Sequence, residues 1–154
     1  MRTMLLSLRP DVYENVASGL KIFEHRKVFP DEPIKAYIYI SRPVQAIAGI
    51  MILDNKTPLE SWKEEFIYDK EAIIRINDYL TRNKFAMQIK YFQDTNRIPL
   101  ATLRNFDPKF LIPQLYYYLD NSELLSFIED NLVAQGDPTT HDFTTITSNM
   151  VCQY

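Results

Sequence analysis

The sequence predicts an α+β fold: a small, partly closed β-barrel with peripheral helices and one extra C-terminal helix. Two patterns lead there. Five or more short segments carry strand patterning with helical segments inserted between them, and no regular βαβα order runs through the chain, which argues against a doubly wound sheet. Size agrees, because 154 residues suit a single core and no internal repeat or long linker divides them.

Along the chain, Arg9-Pro10-Asp11 opens a short helix with Val12 and Val16 on one face, and Gly19 supplies the stop. Leu20 to Val28 reads as a strand, followed by a loop at Phe29 to Pro33 whose prolines cannot continue a ladder. Lys35 to Ser41 alternates Tyr37 and Tyr39 against Ala36, Ile38 and Ile40, the two-residue period of a strand. Gln45 to Leu53 is apolar on both faces, which suits a strand buried in the sheet. Leu59, Trp62 and Phe66 share one helical face, and a second helix from Asp69 to Thr81 aligns Ile73, Ile76 and Leu80 under an Asp69 cap. Phe85 to Phe92 alternates as a strand, and a Pro-interrupted segment leads to a last strand at Gln114 to Leu119. Ser122 caps a helix with Leu125, Ile128 and Leu132 on one stripe, ending near Gly136. The Thr-rich stretch Thr139 to Thr147 fits a loop or an edge strand. Residues 1–118 thus form the body, and 119–154 an acidic helix and tail packed on or near it.

Composition narrows the function classes. Nineteen Tyr and Phe residues against three glycines, with 46% hydrophobic residues, belong to a folded domain. Cys152 is the single cysteine, so no intramolecular disulfide can form and a reducing cytoplasm is expected. Met1 to Asp11 lacks the apolar stretch of an export signal, and the apolar run Ala46 to Leu53 is far short of the roughly 20 residues of a membrane helix. No membrane role is expected. All seventeen Lys and Arg lie at or before Lys109, giving residues 1–118 an excess of three positive charges and residues 119–154 six acids with no base. A basic body of that size supports weak, salt-sensitive binding to a polyanion.

The stretch Gly19-Leu20-Lys21-Ile22-Phe23-Glu24-His25-Arg26 gathers the most chemistry. A glycine stop brings the backbone and Lys21 close to whatever sits at the helix end, while alternation puts Glu24 and Arg26 on one strand face. Strict alternation sends Lys21 to the other face, so the three converge only if Lys21 precedes the regular pleat or a bulge turns it. An ammonium and a forked guanidinium can hold phosphates, and a carboxylate can accept from a base's exocyclic amine. Lys21 and Glu24 can also serve as an acid/base pair if burial shifts their titration. An ordinary surface ion-pair cluster on a strand has the same residue types. His25, His141 and Cys152 have no ligand spacing, so neither metal nor cofactor is expected. Trp62 is assigned to the core, and Tyr116 to Tyr118 are open between core packing and base stacking.

Leu5-Leu6-Ser7-Leu8-Arg9-Pro10 followed by the G-x-K-x-x-E-x-R run from Gly19 to Arg26 resembles the opening of ASCH-domain proteins, a branch of the PUA-like superfamily. Tyr37 to Val44, Gly49, Trp62, Ala86 to Ile89 and Pro113-Gln114 followed by aromatics are similar to later landmarks of that family, so the resemblance spans residues 4–118. It implies a PUA-like β-barrel with a cleft between barrel and helices that binds RNA or a modified nucleoside. Lys21, Glu24 and Arg26 would line the cleft, with Ser7, Arg9, Gln114 and Ser41 as neighbours. Some small family members are amidohydrolases of 4-acetylcytidine that use a lysine, a threonine three residues on and a helix glutamate. Glu24 stands at the threonine position here, which moves the expectation from amidohydrolase or ribonuclease toward binding. A third reading makes the acidic helix, Ser122 to Ala134, a protein-docking element or a cover for the basic cleft.

Overall fold

The computed structural model describes all 154 residues. Its strands are β1 (Arg2–Leu8), β2 (Phe23–Arg26), β3 (Ile34–Ile40), β4 (Ala46–Pro58), β5 (Phe85–Gln93), β6 (Ile98–Pro99), β7 (Tyr116–Tyr118) and β8 (Thr139–Thr140). Its helices are α1 (Pro10–Ala17), α2 (Leu59–Glu65), α3 (Lys70–Leu80), α4 (Leu100–Phe106) and α5 (Glu123–Asn131), with a 3-10 turn at Ser148–Met150. Six strands in the order β2-β5-β4-β3-β1-β7 curl into a half-barrel, and β6 and β8 attach to β4 and β5.

All pairings are antiparallel except β1 with β3, which run parallel. A parallel pair needs a crossover, and α1 with β2 supplies it. The β3–β4 register slips at Gly49, between the pairs Tyr37–Ile50 and Ile38–Ala48. Gly49 has φ +75°, and a Cβ there would lie 2.5 Å from the Tyr13 hydroxyl. Only glycine lets α1 pack this closely on the bulge.

Both sheet faces are covered. One carries Met4, Leu6, Ile38, Met51 and Ile89 beneath Tyr13 and Val16 of α1. The other carries Leu5, Tyr37, Tyr39 and Ile47 beneath Leu103 of α4 and Ile128 of α5. Strand β3 therefore alternates between two buried faces rather than between core and water. A third cluster joins Phe23 and Ala86 to Leu59, Trp62, Phe66, Ala72 and Ile76 of α2 and α3, with Val151 and Cys152. Trp62 is a core residue, packed edge-on to Phe23 at 5.1 Å between ring centroids.

Several boundaries differ from the sequence expectation. Strand β2 begins at Phe23 instead of Leu20 because the Lys21 amide donates to the Asn15 carbonyl at 2.8 Å, tying the chain to α1 before a ladder can start. The segment after β5 contains β6 and α4, which the two-residue and helical periods did not reveal. The strand expected over Gln114 to Leu119 pairs only over Tyr116–Tyr118. Helix α5 stops at Asn131, not near Gly136, because Asn96 clamps its end. The Asn96 Nδ2 donates to the Asn131 carbonyl at 3.0 Å and its Oδ1 accepts from the Val133 amide at 2.8 Å. The expected caps are present: Asp69 accepts from the Ala72 amide and Ser122 from the Leu125 amide. No helix is long and apolar enough to cross a membrane.

Candidate functional site

A cavity of about 420 Å³ opens where five parts of the chain meet. The end of β1 contributes Ser7, Leu8 and Arg9; α1 contributes Val12; the second strand and its lead-in contribute Lys21, Glu24, His25 and Arg26; the end of α3 and the turn after it contribute Tyr79, Arg82 and Asn83; the tail contributes Tyr154. The turn after α3 is held beside β2 by the Lys84 amide, which donates to the Arg26 carbonyl at 3.0 Å. This volume lies within the roughly 300–1,000 Å³ of small-molecule sites.

Lys21, Glu24 and His25 are all buried, at 4%, 5% and 7% exposure. Lys21 precedes the regular pleat, so its side chain reaches the cavity wall that Glu24 and Arg26 share. The Lys21 ammonium donates to the main-chain oxygen of Tyr154 at 2.8 Å. Arg26 donates from Nη2 to the Ser7 carbonyl at 3.0 Å, and its Nε lies 3.3 Å from Glu24 Oε1 in an ion pair without hydrogen-bond alignment. Glu24 Oε2 is buried with no hydrogen-bond partner, and both ring nitrogens of His25 are likewise unpartnered. The His25 ring meets Tyr79 edge-on at 4.7 Å.

Burial sets the electrostatics. Desolvation lowers the Lys21 pKa against the opposing pull of Glu24, and Arg26 lowers it further. Desolvation, with Lys21 nearby, pushes the His25 imidazole down to about 3, so this histidine is neutral at neutral pH. Burial raises the neighbouring Cys152 thiol to about 12, which makes it a packed thiol and not a nucleophile. No three His, Cys, Asp or Glu side chains are grouped to hold a metal ion.

The tail reaches this site by a route the sequence did not suggest. Helix α5 adds no residue to the cavity wall; it packs on the far sheet face. Past it, Arg75 donates to the Ser148 carbonyl at 2.7 Å and the Ser148 hydroxyl donates to Asp69 at 2.6 Å. Val151 and Cys152 are buried in the α2/α3 cluster, which delivers Tyr154 to the Lys21 ammonium.

The fold has known counterparts. No protein-family profile matches the chain, and no curated protein does. The crystal structure of ASCH from Zymomonas mobilis superposes with a TM-score of 0.65 at 20% identity, over 86% of this chain and 96% of that one. A serine-to-alanine variant of the Zymomonas mobilis protein superposes at 0.61 with 21% identity over 83% and 95% of the two chains. A tyrosine-to-phenylalanine variant gives 0.64 at 20% identity over 86% and 100%. The fold is that of an ASCH domain.

Within the ASCH fold, Ser7, Arg9, Lys21, Glu24 and Arg26 come together on one cavity. Gly19 does not reach the wall; it makes the turn that leads into Lys21, with φ +83° and His141 as its neighbour. Ser41 stays outside, its amide bonded to the Leu8 carbonyl at 2.9 Å. Gln114 is exposed in a separate surface groove with Leu111 and Tyr117. Sequence reasoning missed His25, Tyr79, Arg82, Asn83 and Tyr154. Arg82 and Asn83 lie just past a helix end, where nothing in their spacing points back to β2.

Proposed function

We propose that the cleft around Lys21, Glu24 and Arg26 binds RNA or a nucleoside. The observation that carries this reading is the unpartnered, buried Glu24 Oε2 in a wall it shares with a buried ammonium and a pinned guanidinium. A buried acceptor without a donor costs about 1–3 kcal/mol, and more when charged. A ligand that brings an N–H or O–H donor to Glu24 and an oxygen to Lys21 relieves that cost. A nucleobase amine or ribose hydroxyl beside a carbonyl or phosphate oxygen has this pairing, and the ASCH fold is consistent with such a ligand.

The test is a labelled RNA pool titrated against wild type and the Lys21→Ala/Arg26→Ala double variant, with cooperative melting of both as the folding control. Loss of binding in the variant supports the reading. Equal binding by both proteins removes the cleft assignment.

One observation favours a second reading, hydrolysis of a nucleoside amide or of RNA. Desolvation lowers the Lys21 pKa beside Glu24, which suits proton transfer. Against the amidohydrolase form, Glu24 is the single side-chain carboxylate in the cavity wall, so no helix glutamate stands opposite Lys21. Incubation with 4-acetylcytidine and with labelled RNA decides: deacetylated nucleoside or cut strands establish an enzyme, and binding without product leaves a binding module.

A further inference from the structure

We propose that the cleft continues past Arg26 into a second subsite, so that the ligand is a single strand of RNA at least two nucleotides long and not a lone nucleoside. This rests on the reading of the Lys21 cavity given above. A second cavity of about 400 Å³ adjoins the first and shares His25, Arg26, Arg82 and Asn83 with it as a common wall. Its own residues are Lys27, Val28, Leu115 and Tyr116.

The two cavities differ in chemistry in the way a nucleotide step requires. The first holds the carboxylate of Glu24, which repels phosphate and accepts from a base or sugar. No acidic side chain lines the second. Val28 and Leu115 present 66% and 65% of their surface to solvent there, large values for apolar residues beside a charged rim. Tyr116 stands next to them, held edge-on by Phe29 at 5.7 Å and by Tyr118 at 6.2 Å. Apolar and aromatic surface of this kind takes the face of a base regardless of its identity. Arg26 and Arg82 stand in the shared wall, where a linking phosphate would lie, and Lys27 guards the far side. Arg82 is only loosely paired, 3.7 Å from an equally exposed Asp78, and Lys27 makes no ion pair. An unpaired Lys27 and a loosely paired Arg82 beside an exposed apolar floor match a polyanion carrying flat bases.

The probe is a fluorescein-labelled random RNA octamer, titrated by anisotropy and competed with the four ribonucleoside 5′-monophosphates. Lys27→Gln/Leu115→Glu changes two exposed side chains of the second cavity that the first cavity lacks. We expect the octamer to bind at least about tenfold more tightly than any monophosphate. The variant should lose about tenfold in octamer affinity, with the salt slope shallower by about 0.7, while monophosphate competition stays unchanged. Monophosphates that match the octamer, or a variant that binds the octamer like wild type, overturn the second subsite. The Lys21→Ala/Arg26→Ala protein separates the two ideas: if it loses the octamer while Lys27→Gln/Leu115→Glu does not, the first cavity stands and the extension fails. No octamer binding by wild type sinks both.

Discussion

Acidification should expose what it takes to keep His25 neutral in the cavity wall. Its pKa is held at about 3 by burial and by the Lys21 ammonium, whereas an unfolded histidine titrates near 6.5. Between those values the unfolded chain binds one more proton than the folded one, so stability rises with pH and is lost as pH falls below about 6.5. Each unit is worth about 1.36 kcal/mol, so the loss reaches about 2.7 kcal/mol at pH 4.5. Lys21, whose pKa burial lowers, and Tyr79, whose pKa burial raises, also face the imidazole; the lowered carboxylates Asp69 and Asp94 add their losses at more acid pH. A His25→Phe variant keeps the edge contact with Tyr79 and removes the titration. Urea unfolding followed by circular dichroism at pH 7.5 and 4.5 should show wild type losing about 2.5 kcal/mol more than the variant. Equal losses would falsify the buried, neutral imidazole.

Further expectations follow from the packing and the tail. Gly49→Ala adds left-handed strain and a clash with the Tyr13 hydroxyl, and should cost about 3 kcal/mol in thermal unfolding; a loss under 1 kcal/mol means α1 can shift freely. Ser122→Ala removes the cap on the Leu125 amide and should cost about 1 kcal/mol without altering RNA binding, as measured by urea midpoint and by anisotropy. Ending the chain at Cys152 removes the oxygen that occupies Lys21 and should tighten RNA binding about tenfold, equivalent to 1.4 kcal/mol. Unchanged affinity means that Tyr154 does not compete for the ammonium.

Where local periodicity and capping decide the backbone, the chain could be read directly. The caps at Asp69 and Ser122, the two-faced apolar run in β4 and the alternation of β5 all depend on residues a few positions apart. Lys21 converges with Glu24 and Arg26 only if it precedes the regular pleat, and the Asn15 carbonyl, a partner six residues upstream, holds it there. Features that depend on distant partners were hidden. The clamp by Asn96 shortens α5 from 35 residues away, and the wall residues Tyr79 and Arg82 join the cavity only because the turn after α3 pairs with Arg26. Short α4 and β6 are too brief to impose a period, so their proline-flanked segment reads as loop.

The placement of β1 also has a consequence for synthesis. This strand is made well before both of its sheet neighbours, β3, 32 positions later, and β7, 110 to 114 positions later. At about 5–20 residues per second, some 5 to 20 s separate emergence of β1 from that of β7. During that interval Met4, Leu5 and Leu6, apolar toward both faces of the future sheet, lack at least one lateral partner. Nascent β1 is therefore exposed to mispairing with another chain during that interval, and slow translation or a missing chaperone would favour aggregation seeded there.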